Sequence, residues 1–381
     1  MKISGRGTIL LTFAAFGAFI GTNVGAFPVI LKNSGVSPEL FGLVGAIGML
    51  SNIVMMALGG TINRYFDHRT VLLWIVPVAF FSVLLAQLVF SPLTFVLTAI
   101  FISMALGTMD LFMNAEGAEL DQEHETSIFS AYHGSASLMM GLFAIISSIV
   151  SVWLAPWFVM LFTLIPVAIA YAAIYVNIPH RAVVVHDVEK GSKRLPYKLL
   201  TFIGLAAGFG VTSEVACVQW AGQLLNSIAP SLAAYSGLGL AFYGLCSGVM
   251  RMFSDRIRAT YGDRNVMMVC LSIGILGFVV LSFAPGFAFS VFAFAAVGIG
   301  LSVVFPCLFS LAAQLVPDRK AAAMGYFAMV GGAPRVALPW VLGATAQSYG
   351  LSSVFVVTAM VSATALLIIV TTFSKAEAAL A

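Results

Sequence analysis

The residues best placed to do chemistry lie between Gly107 and Ser137, in GTMDLFMNAEGAELDQEHETSIFSAYHGSAS. Asp110, Asn114, Glu116 and His133 stand there in or beside runs that are otherwise apolar. An ionisable group at the centre of a bilayer costs about 2.5–3.5 kcal/mol on insertion scales, so by default it marks a functional site. Asp110 and Asn114 are four apart and share one helical face. A buried carboxyl beside an imidazole can exchange a proton near neutral pH. Asp110 is therefore expected to be the proton-carrying group, with His133 its partner from the start of the next helix. The alternative is a static clamp between the two helices.

Glu214 and Arg335 form a second expected pair. Each lies about 15 residues into its helix, roughly 20–24 Å deep at 1.5 Å per residue, so an ion pair between them is expected. Glu214 is a further proton-coupling candidate. Arg335 could grip a carboxylate or hydroxyls through its planar fork, or the two could simply hold their helices together. Asn23, Asn52, Asn114 and Gln219 are candidate hydrogen-bonding contacts for a polar solute, although polar side chains also join membrane helices for about 0.6 kcal/mol each. Trp220 and Tyr326, with Phe27 and Tyr243, could stack on a ring or pack the core. From Glu119 onward the acidic run reads as a water-exposed loop, with Glu116 at the helix end.

These groups must be positioned by membrane helices. The 381-residue chain is 61% hydrophobic and 9% charged, with mean hydropathy +1.04, whereas soluble chains are about 25% charged. Only helices or closed barrels satisfy their backbone in lipid, and the apolar runs are long and show no alternation. Twelve reach or approach the ~20 residues a span requires: 8–31, 40–62, 70–90, 93–116, 128–152, 156–177, 197–221, 233–254, 265–284, 287–312, 322–346 and 351–373. The first is too long for the apolar core of a cleavable signal. The four cysteines lie in apolar runs without CxxC spacing and read as packing residues.

Placing both termini in the cytoplasm puts all of the 18 basic residues except Lys32 and Arg335 on the cytoplasmic side, as the positive-inside rule requires. The longest polar segment, 178–196, divides the spans six and six. The expected organisation is an N-terminal six-helix bundle (1–177), a cytoplasmic linker (178–196) and a C-terminal six-helix bundle (197–381). A shift of 193 residues lays Ala105-Leu106-Gly107 on Gly298-Ile299-Gly300, and His133 on Tyr326. A shift of 191 lays Gly17 on Gly208, and Asn23 on Glu214. Parallel repeats of this kind place a substrate site between the halves at the midplane.

The six-plus-six layout resembles the major facilitator superfamily. The loops with Gly60, Arg64, Asp67 and Arg69, and with Gly248, Arg251, Asp255, Arg256, Gly262 and Arg264, resemble that family's signature loop. Arg64 stands where the first copy should carry its aspartate. Asp110-Leu-Phe-Met-Asn114-Ala-Glu116-Gly117, then His133-Gly134, Glu214 with Trp220, and Gly300-Leu-Ser-Val-Val-Phe-Pro306 are similar to the YbjJ-like, fucose-permease-like branch. The branch's span 1 carboxylate is replaced here by Asn23. The resemblance implies an all-α membrane protein with the major facilitator fold. It further implies a multi-pass carrier of a small polar, sugar-like solute in the bacterial inner membrane, working as a proton symporter by alternating access.

The main alternative within transport is proton-driven efflux of amphipathic compounds. An embedded enzyme would need a nucleophile or metal set near Asp110 and His133, and a sensor would need a sizeable soluble domain. Neither is found in the sequence, nor is a phosphate-cradling loop, so ATP-driven transport is not expected. The expected partners are a small-molecule substrate, protons and the bilayer. No cofactor, metal or nucleic acid is expected, and the carrier should be a monomer.

Overall fold

A computed structural model describes residues 3–124, 128–181, 195–315 and 320–380 of the chain. It is all-helical, and twelve of its helical stretches are long and apolar enough to cross a membrane. The helices are α1 (Gly5–Gly25), α2 (Phe27–Ser34), α3 (Pro38–Ile62), α4 (His68–Gln87), α5 (Pro92–Glu123), α6 (Phe129–Trp153) and α7 (Val159–Asn177). They continue as α8 (Tyr197–Ile228), α9 (Leu238–Tyr261), α10 (Asp263–Ser282), α11 (Phe287–Leu301), α12 (Val304–Leu315), α13 (Lys320–Tyr349) and α14 (Ser352–Leu380). The linker expected over 178–196 lies largely outside the described residues, as do Glu125 and the basic residues from Lys190 to Arg194 and Arg319.

Local chemistry sets the starts and breaks. Ser4, Ser37 and Asp67 cap α1, α3 and α4 through side-chain oxygens, and Ser91 with Thr94 forms a capping box on α5, satisfying amides that have no partner in the first turn. Pro28 follows the bend at Ala26 that separates α1 from α2. Between α11 and α12 the break has a specific cause. Pro306 has no N–H, so the carbonyl four residues back, on Ser302, loses its intrahelical donor.

Two helices overrun the apolar stretches that announce them. Helix α5 continues to Glu123 and α9 to Tyr261. This corrects the expectation that the acidic run after Glu116 is a loop: Glu116, Glu119, Asp121 and Glu123 are all helical.

One apolar core joins α1, α4, α5, α6 and α7 through Ile9, Phe13, Leu72, Met109, Tyr132 and Ile174. A larger one gathers α8–α14 and takes in Phe27, Phe41 and Phe95 from the first half of the chain. The two halves of the sequence meet along two seams, α6 on α9 and α3 on α13. Both depend on missing side chains. A Cβ on Gly244 would lie 2.4 Å from the Ser137 carbonyl oxygen, and one on Gly42 would lie 2.4 Å from that of Pro339. Small residues let membrane helices approach to backbone contact in this way.

Candidate functional site

The most completely bonded charge inside the bundle is Arg251 of α9. Its Nη2 donates to Glu214 Oε1 on α8 at 2.9 Å, its Nη1 to Ser137 Oγ on α6 at 2.9 Å, and its Nε to the Ser302 carbonyl at 3.3 Å. The last bond supplies the donor that Pro306 withholds. One guanidinium thus ties α8, α6 and the α11–α12 break, crossing between the halves. Tyr243, fully buried, lies beside this pair and feels both charges.

Glu214 is therefore not paired with Arg335, contrary to the sequence expectation. Equal depth along a helix does not fix the direction in which a side chain points. Arg251, read from the sequence as a loop residue, lies well inside α9 because that helix extends to Tyr261.

The expected partner of Asp110 is corrected as well. Asn114 Nδ2 donates to Asp110 Oδ1 at 2.9 Å and to the Asp110 carbonyl at 2.7 Å. No hydrogen bond or ion pair joins Asp110 to His133 among the described residues; Arg335 lies within electrostatic reach of Asp110 but makes no ion pair with it. The His133 ring instead packs edge-on against Phe13, with centroids 4.9 Å apart, and beside Phe129 at 5.0 Å. The charge nearest in effect on it is Arg251. Helix α6 packs along α1 and α9 and barely touches α5, so the two residues have no shared face.

Helix α3 touches the turns that precede both Asp110 and Arg335. A Cβ on Gly107, three residues before Asp110, would meet Asn52 Nδ2 at 2.6 Å. A Cβ on Gly332, three before Arg335, would meet Ile53 Cδ1 at 3.2 Å. Consecutive α3 residues thus touch the turns that carry the two charges. Farther toward the Pro38 end, a Cβ on Gly45 would lie 3.3 Å from the Gln219 amide and from Pro339. The Oδ1 atoms of Asn23 and Asn52 and the Nε of Arg335 are buried with no hydrogen-bond partner.

The candidate aromatics fall elsewhere. Trp220 is 1% exposed and packs edge-on against Phe41 at 4.9 Å, next to Phe27 and Phe95. The Tyr326 hydroxyl bonds Thr201 at 2.9 Å and its ring meets Tyr197. It lies nine residues before Arg335, about 13 Å along the helix.

Sequence reasoning missed a third cluster, at the end of the bundle that carries Asp67. His68 Nδ1 lies 3.1 Å from Glu116 Oε2 and 3.7 Å from Glu119 Oε1. Arg181 reaches Glu116 and Glu119 at 3.4 Å and Glu123 at 2.6 Å. Its bond to Glu123 and the three carboxylates raise its proton affinity further, against burial. His68, Glu116 and Glu119 have the composition of a metal site, with ligand atoms within 4.8 Å of one another, but the Arg181 guanidinium already supplies the cation. Nearby, His180 bonds Asp67 Oδ2 at 2.8 Å, and Arg69 bonds His180 and the Tyr175 carbonyl. Burial pushes the Asp67 carboxyl up, but hydrogen bonds from Thr70, His180 and Arg181 outweigh it and hold the carboxyl below its ordinary value. Asp121 accepts from Arg6 at 2.9 Å and from the Ile128 amide at 2.9 Å. The i, i+3, i+7 spacing of Glu116, Glu119 and Glu123 was the available signal for this cluster.

The interior thus holds charges at mid-helix, seams of small residues between the halves, and buried polar atoms without partners. The Major Facilitator Superfamily model matches residues 211–380. An uncharacterized MFS-type transporter of Yersinia pestis is 23% identical over 333 residues, which span 86% of this chain and 85% of that protein. The nucleoside transporter NupG superposes with a TM-score of 0.75 at 16% identity, over 97% of this chain and 100% of that one. The E. coli fucose:proton symporter FucP superposes at 0.62 and 15% identity, over 96% and 97% of the two chains. The family-model match lies in the second half of the chain, and the fold over the whole chain is that of the major facilitator superfamily transporters it superposes on. Proteins of this class are not enzymes.

Proposed function

We propose that the protein is a secondary active carrier that moves a small polar solute across the bacterial inner membrane by alternating access, in symport with protons. The observation that carries this reading is the Asp110 carboxylate on α5, bonded by Asn114 and within electrostatic reach of Arg335 of α13 in the other half of the chain, with no ion pair formed between them. Opposite charges on either side of the moving interface give a proton a place where its arrival weakens the attraction between the halves. Arg251, holding Glu214 and Ser137 together, supplies the second contact to be broken and remade. The halves act as two six-helix bundles rocking on the α6–α9 and α3–α13 seams. The distribution of Lys and Arg places the Asp67 end in the cytoplasm. The relatives that transport nucleosides and fucose are in keeping with a polar solute, as is the fucose-permease-like motif set of the sequence.

The test is uptake by proteoliposomes of a panel of labelled sugars, nucleosides and sugar acids, with and without an inward pH gradient. At least one solute should accumulate above its outside concentration only when the gradient is present. Accumulation that is indifferent to the gradient would rule out proton symport.

A further inference from the structure

We propose that the transported solute is an anion: a small hydroxylated carboxylate that takes the place of Asp110 as the counterion of Arg335. This deepens the transport reading above and rests on it.

Among the described residues, Arg251 and Arg335 carry guanidiniums at mid-helix, and they differ in one respect. Arg251 is fully engaged by Glu214, Ser137 and the Ser302 carbonyl. Arg335 makes no hydrogen bond to the described residues, its Nε is buried without a partner, and the side chain is only half-buried. Leaving a buried charge-bearing donor unbonded is costly. A guanidinium presents donors in a rigid fork that matches a carboxylate with two parallel bonds. A static structural role would have given Arg335 the kind of acceptor set that Arg251 has. An unfilled fork beside solvent is what a binding residue looks like before its ligand arrives.

The surrounding atoms specify the rest of the ligand. Asn52 Oδ1, next to the turn that carries Asp110, and Asn23 Oδ1 are buried acceptors without donors. The Gln219 amide stands at Gly45 and Pro339, one turn beyond Arg335. Carbonyl oxygens accept from hydroxyls, so the carboxylate should be attached to a hydroxylated body.

Charge balance then links solute to proton. Among the described residues, the charges at mid-helix are Asp110 and Glu214 against Arg251 and Arg335, Glu116 lying at the end beside His68 and Arg181, and Glu214 is committed to Arg251 at 2.9 Å. The charged group within electrostatic reach of Asp110 is Arg335; His133 on α6 lies among Phe13 and Phe129, and Glu214 is bonded to Arg251. When a carboxylate docks on Arg335, Asp110 is left as an uncompensated buried anion. It regains neutrality by taking one proton from the aqueous phase. One anion and one proton then cross together, and on release Asp110 gives the proton up and returns to Arg335. The cycle is electroneutral.

The test compares D-glucuronate and D-gluconate with D-glucose and uridine, using binding to purified full-length protein and flux into proteoliposomes. The acids should bind at least tenfold more tightly than the neutral probes, more tightly at pH 6 than at pH 8. Arg335→Lys, which keeps the charge and loses the fork, should weaken the acids about tenfold and leave the neutral probes alone. Asp110→Asn should bind the acids at least as tightly as wild type and lose the pH dependence. Acids that bind no better than the neutral probes, or that fail to bind at millimolar concentration, overturn the assignment, and the wild-type comparison needs no variant to fold. Gradient-driven uptake of glucose or uridine in place of the acids overturns the anion and leaves the transport reading intact. Tight binding of the acids with no flux in either gradient overturns the transport reading and leaves the anion.

Discussion

Breaking the Arg251–Glu214 pair is the most quantitative test of the interior. Arg251 is 12% exposed and Glu214 24%, and three hydrogen bonds converge on the guanidinium. A bond between charged partners contributes about 1.5–3 kcal/mol, and removing one partner of a buried pair costs about 3–5 kcal/mol because the other charge is left uncompensated. Glu214→Ala should therefore lower stability by about 3–5 kcal/mol, or at least about 6 °C in thermal midpoint at 2–4 °C per kcal/mol. Arg251→Met should cost a similar amount and also leave the Ser302 carbonyl without its donor. Because each single change removes the same interaction, the double variant should cost well less than the sum of the two, with a coupling of about 2 kcal/mol or more. The assay is thermal unfolding of the purified protein in detergent, followed through a full double-mutant cycle. The control cycle pairs Glu214→Ala with Arg335→Met, which should add within about 0.5 kcal/mol. Additive costs for 214 with 251, or coupling of 214 to 335, would refute this assignment of partners.

Other outcomes follow from single features. Gly244→Val should force α6 and α9 apart, since even a Cβ there sits 2.4 Å from the Ser137 carbonyl oxygen; flux should fall by more than tenfold while membrane insertion, checked by fluorescent size exclusion, is retained. Pro306→Ala restores a donor to the Ser302 carbonyl, so the α11–α12 break should close, transport should slow, and the thermal midpoint should hold or rise. The Asp67 carboxyl lies below its ordinary value of 3.8 when folded, so its contribution to stability is complete above that value and is lost as pH falls through the lower folded one. Thermal midpoints measured between pH 5 and 3 should drop less steeply in Asp67→Asn than in wild type.

The architecture was legible because it follows from gross physical demands. Twelve apolar runs of sufficient length can only be helices in lipid, and the structure places a helix on each of them. The embedded charges were legible too, since Asp110, Glu214 and Arg335 interrupt apolar sequence. Their partners were not. Depth can be counted along a chain, but azimuth depends on how helices rotate against neighbours, and Asp110 and His133 fell on different seams. Arg251 escaped because polarity near a span end looks like a loop. It stood three residues from the end of the expected span 233–254, and the continuation of α9 to Tyr261 moves it away from the helix end. The same overrun hid the His68–Glu116–Arg181 cluster, whose members lie far apart in sequence and are joined by the packing of α4, α5 and the segment after α7.

Proton coupling at Asp110 is tested most directly by trapping a pH-sensitive dye inside proteoliposomes and adding an inward gradient of a transported solute. Wild type should carry protons in with the solute, acidifying the lumen. Asp110→Asn should exchange labelled for unlabelled solute at a rate within about threefold of wild type and move no protons. Solute-driven acidification that survives Asp110→Asn would contradict proton coupling through this residue.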